Sequence, residues 1–131
     1  MTLEESKDLT EAIVANSDRL TFNKKIIADK HCIGGVPGNR TTMILVPILA
    51  AAGITIPKTS SKSITSPAGT ANTMEVLAPV CFDIKKIKSI VSKTNGCMVW
   101  GGTRNLAGAD DKLLKLEKPL RIDPDGFLLA S

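Results

Sequence analysis

The stretch from Asp29 to Asn39 (Asp-Lys-His-Cys-Ile-Gly-Gly-Val-Pro-Gly-Asn) constrains the fold most. Lys25 to Asp29, around the apolar run Ile26-Ile27-Ala28, reads as a strand, and Thr41 to Ala52 reads as a long apolar helix. A glycine-rich loop therefore joins a strand end to a helix start. Gly34, Gly35 and Gly38 let the backbone come close to a ligand. The helix start offers unpaired N–H groups and a partial positive charge, which favour an anion. Lys30 adds a full charge at the loop entrance, beside His31, the chain's one histidine. The chemistry suited to such a loop is phosphate binding. No Gly-Lys-Ser/Thr closes it, so it is not a Walker loop, and it lacks the dinucleotide Gly-x-Gly-x-x-Gly pattern. A plain tight connection is the alternative reading; a second polar loop, Thr59 to Thr70, favours the anion site.

With 131 residues the chain is one domain or part of one, and its hydrophobic fraction of 43% suffices for a core. Three Phe, one Trp and no Tyr argue against stacking platforms for single-stranded nucleic acid. The net charge of +4 is mild, and its densest cluster, Lys85, Lys86 and Lys88, reads as a solvated helix face. Cys32, Cys81 and Cys97 contain no Cys-x-x-Cys pair, which points away from a disulfide framework or a zinc site. A reducing cytoplasm fits. No signal peptide or membrane-length apolar run is present.

Thr2-Leu-Glu-Glu5 has the form of a capping box, and helical spacing continues to about Asn16. The helix after Asn39 is apolar nearly all round, which predicts a buried helix, kinked at Pro47 and ended by Gly53. Ile54 to Lys58 alternates as a strand, with Pro57 marking its end. Thr70 is placed to cap a helix running to Pro79, and Asp83 one that ends at Gly96. Cys97 to Trp100 is a wholly apolar strand of the kind buried in a parallel sheet. Ala109 to Lys118 is a mixed segment, and Asp123-Pro-Asp-Gly126 is turn chemistry. Alternating strands and helices predict an α/β/α layered sandwich with a mostly parallel sheet, and ligands bind at the strand carboxyl ends of such sheets.

Three motifs carry a resemblance: Asp29-Lys-His-Cys-Ile-Gly-Gly35, Ser60-Ser-Lys-Ser-Ile-Thr-Ser-Pro-Ala-Gly-Thr70, and the Glu75 that follows. Together they resemble the thymidine phosphorylase family. Gly-Val-Pro-Gly-Asn at 35–39 and Val-Trp-Gly-Gly at 99–102 resemble its second type, which includes the archaeal AMP phosphorylases. The resemblance covers essentially the whole chain but a middle portion of a family member. It implies the nucleoside phosphorylase catalytic-domain fold. Residues 1–20 are then a helix of a neighbouring α-helical domain, and 21–131 the phosphate-binding part of the catalytic domain, truncated at its C-terminus.

The resemblance implies a pentosyltransferase that cleaves thymidine with phosphate to thymine and 2-deoxyribose 1-phosphate. The alternatives are AMP phosphorolysis to adenine and ribose 1,5-bisphosphate, or a fragment that binds phosphate or nucleotide without turnover. Inorganic phosphate is co-substrate; no cofactor or metal is implied, and the full-length protein is expected to be a homo-oligomer that binds neither nucleic acid nor membrane. Lys30, Thr42, Ser60 and Thr70 fall where the family holds phosphate. Gly35, Ser61, Lys62, Ser63, Ile64, Thr65, Ser66 and Ser131 fall where the second type contacts its nucleotide. His31 matches a histidine near the base, and Asp123 the aspartate assigned as proton donor, with a turn-only role as its alternative. Cys32 stands for a usual serine, Lys62 for an arginine, Asn72 for a common aspartate and Arg121 for a small residue; these departures bear on substrate choice. Trp100 is expected in the core rather than as a stacking platform.

Overall fold

A computed structural model of the chain describes residues 2–30, 39–60, 62, 69–102, 106, 112–113, 115–116 and 119–120. Its elements run α1 (Leu3–Ala15), α2 (Asn39–Ala51), β1 (Ile56–Ser60), α3 (Thr70–Glu75), α4 (Ile84–Thr94) and β2 (Gly96–Trp100). The 109–118 segment carries helical backbone at 112–113 and 115–116. Asp123 to Gly126 lies outside the described residues.

The caps form where the local sequence calls for them. Thr2 Oγ1 accepts from the Glu5 amide at 3.2 Å, and Glu5 Oε2 accepts from the Thr2 amide at 2.6 Å. The bond from the Thr2 amide, then that from its hydroxyl, holds the Glu5 carboxyl below the usual carboxylate range. Asp83 caps α4 by accepting from the Lys86 amide at 2.7 Å. Gly53 ends α2 with a φ of +86°, while the Ile54 amide reaches back to the Leu49 carbonyl at 3.0 Å.

β1 and β2 pair in parallel, from Ile56 beside Gly96 to Ser60 beside Trp100. Strand residues alternate between faces, and laterally paired residues share one. Ile56 and Gly96 therefore lie on the α2 face. A Cβ at Gly96 would stand 3.1 Å from the Ala50 Cβ and 3.2 Å from the Ile56 Cγ2, so the close seat of α2 favours glycine there, any larger residue needing its neighbours to give by a few tenths of an ångström. On the other face Val99 joins Ile87 and Val91 of α4 in a buried cluster, with Leu20, Phe22, Phe82, Cys97 and Leu106 packed around it. The result is helix, parallel sheet, helix, as predicted.

Several expectations are corrected. Lys25 to Asp29 is not a full strand: Ile27 makes an isolated parallel bridge to Thr55, with the Ala28 amide donating to the Thr55 carbonyl at 2.8 Å. The backbone groups of Ile56 and Ser60 bond toward β2, so those of Thr55 and Pro57 face the other edge. The next amide on that edge would be that of Pro57, which has none. For the same reason Pro57 does not end β1, because its missing N–H is not needed by β2.

Helix α2 is not buried all round. Thr42 and Val46 face inward, whereas Ile44 and Ile48 are 63% and 58% exposed. A helix over two strands buries one stripe, and apolar composition alone cannot say which residues lie outside it. Helix α2 runs on through Pro47, which is exposed. Helix α3 stops at Glu75 rather than Pro79, capped by Gly69, with the Leu77 and Ala78 amides both turning back to the Met74 carbonyl at 2.9 Å. Finally, Asn95 rather than Gly96 closes α4, at φ +59°, which leaves Gly96 for the sheet. Asparagine tolerates that region better than most residues.

Two outcomes are expected. Ile87 is fully buried, so Ile87→Ala lowers stability by about 2–5 kcal/mol, whereas Lys85→Ala on the exposed side changes it by less than about 0.5 kcal/mol; urea denaturation distinguishes them. Burial pushes the Cys97 thiol up to about 11, while Cys81 is exposed. An alkylating reagent at pH 8 is therefore expected to modify Cys81 well before Cys97, read by peptide mass, since the thiolate is the reactive form.

Candidate active site

Lys30 leaves the Ile27 bridge, and its Nζ donates to Thr42 Oγ1 at 2.9 Å. Thr42 lies in the first turn of α2 and is fully buried. This bond fixes a cation at a helix start, where the backbone dipole already favours an anion. Two of the four residues expected to hold phosphate are thus in contact.

The other two lie on neighbouring elements. Ser60 is the last residue of β1, at the carboxyl end of the parallel pair, and its carbonyl accepts from the Gly101 amide at 2.9 Å. By the alternation of β1 its side chain shares the α2 face with Ile56 and Lys58. Thr70 is the first residue of α3 and is buried, 5% exposed. Helix α3 packs against α2. A hydroxyl set with one ammonium can hold an anion without presenting a strong competing nucleophile.

Lys62 has partners that local sequence could not reveal. Its ammonium bonds both oxygens of Glu75, at 2.9 and 3.1 Å, and stands 4.8 Å from the centroid of the Trp100 ring. The Glu75 hydrogen bond raises the Lys62 pKa above the ordinary lysine value. Trp100 is half-buried, with a ring face given to this cation rather than wholly to the core. Lys58 is not singled out by any motif. It is 2% exposed on the α2 face, and its Nζ donates to the Thr59 carbonyl. Counting by twos from Ile56 would have found it.

His31, Gly35, Ser61, Ser63, Ile64, Thr65, Ser66, Asp123 and Ser131 lie outside the described residues. Cys32 and Arg121 do too, whereas Asn72 sits half-buried in α3. Among the described residues no group of three or more His, Cys, Asp or Glu could hold a metal ion, and no helix is long and apolar enough to cross a membrane.

Thr42→Val keeps the shape of the buried side chain and removes the acceptor of the Lys30 bond. It is expected to lower stability by about 1 kcal/mol in urea denaturation, the net worth of one hydrogen bond; an unchanged midpoint would show that the bond does not hold Lys30.

Comparison with known proteins bears on the same residues. A protein of Polaromonas sp. (strain JS666) named "Putative thymidine phosphorylase" is 55% identical over 128 residues, 98% of this chain and 25% of that protein. The AMP phosphorylase of Natronomonas pharaonis is 52% identical over 131 residues, 100% of this chain and 26% of its own length. The "Putative thymidine phosphorylase" of Legionella pneumophila (strain Corby) is also 52% identical, over 100% of this chain and 25% of that protein. The chain thus spans about a quarter of the length of these curated relatives. Residues 24–123, which include β1, β2, α2 to α4 and all four expected phosphate ligands, match the glycosyl transferase family, a/b domain, and the chain belongs to that family.

Proposed function

We propose that this chain supplies the phosphate-binding part of a nucleoside phosphorylase. The observation that carries the reading is the 2.9 Å bond from Lys30 to Thr42, which sets an ammonium at the start of α2. In the reaction a phosphate oxygen attacks C1′ of the sugar and forms a C–O bond. The glycosidic C–N bond breaks, and its electron pair leaves with the base, which takes a proton. Positive charge builds on the sugar and negative charge on the base. Lys30, Thr42, Ser60 and Thr70 hold the phosphate dianion beside the developing cation, from the face opposite the base. Asp123 protonates or hydrogen-bonds the leaving base, and His31 lies near it. The segment from Ser61 to Ser66, Gly35 and Ser131 contact the nucleoside. None of these roles calls for a metal or an organic cofactor.

Thymidine is the substrate of the first reading, giving thymine and 2-deoxyribose 1-phosphate. AMP, giving adenine and ribose 1,5-bisphosphate, is the second; the relative in Natronomonas pharaonis, named AMP phosphorylase, supports it.

Phosphorolysis of thymidine and of AMP by the full-length protein tests the activity and separates the substrates. Release of neither base would remove the reading. In that protein Lys30→Ala is expected to weaken phosphate binding by about 1–3 kcal/mol, the range for a charge-assisted hydrogen bond, measured by calorimetry. Asp123→Asn is expected to lower kcat by about 10²–10⁴-fold while leaving phosphate affinity near the parent value; an unchanged kcat would leave Asp123 as a turn residue.

A further inference from the structure

We draw no further inference here: the strongest candidate, the exposed apolar stripe of α2 at Ile44 and Ile48, carries nothing because no feature among the described residues shows what covers it.

Discussion

Because Gly96 lies beside Ile56 in the parallel pair, Ala50 of α2 can sit close against β2, its Cβ 3.1 Å from where a Cβ on residue 96 would stand. That one register sets both layers. It brings α2 onto the Ile56, Lys58 and Ser60 face, and leaves Cys97 and Val99 for α4. Asn95 follows from the same constraint. It takes the left-handed turn out of α4 so that the glycine can be used for contact, and its side-chain amide reaches the Ala50 carbonyl at 3.4 Å. The end of α4, the start of β2 and the end of α2 are thus tied at one corner.

The candidate site lies at the opposite end of that face, where β1 and β2 stop. Lys30 arrives there from the Ile27 bridge, Lys58 from within β1, and Lys62 from the chain after it. Each ammonium is held differently: on a buried hydroxyl, in the interior with a backbone carbonyl, and on a carboxylate beside an indole. An ammonium removed from water needs such partners. The third is bonded to a carboxylate at the surface, its lysine and glutamate side chains 35% and 44% exposed.

Features decided within a few residues were legible in the sequence. The Thr2–Glu5 box, the Asp83 cap, the Gly53 terminus and the apolar strand after Gly96 all read correctly, since cap and turn energetics are local. What failed depended on partners elsewhere. Pro57 reads as a strand end because sequence does not say which edge its missing amide faces. The exposure of Ile44 and Ile48 depends on how many strands lie beneath α2. In the site, the Lys30–Thr42 bond joins two residues singled out in the sequence, whereas the Lys62, Glu75 and Trp100 group does not follow from spacing, because the three come from separate elements. Resemblance drew attention to Glu75 without giving it a partner.

On the proposed reading, phosphate is held where Lys30 meets the start of α2. A crystal structure of the full-length protein grown with phosphate tests it most directly. Phosphate oxygens are expected at about 2.7–3.2 Å from Lys30 Nζ and from the Ser60 and Thr70 hydroxyls, the range of good hydrogen bonds. Phosphate ordered elsewhere, with those three groups bonded only to protein or water at saturating phosphate, would contradict it.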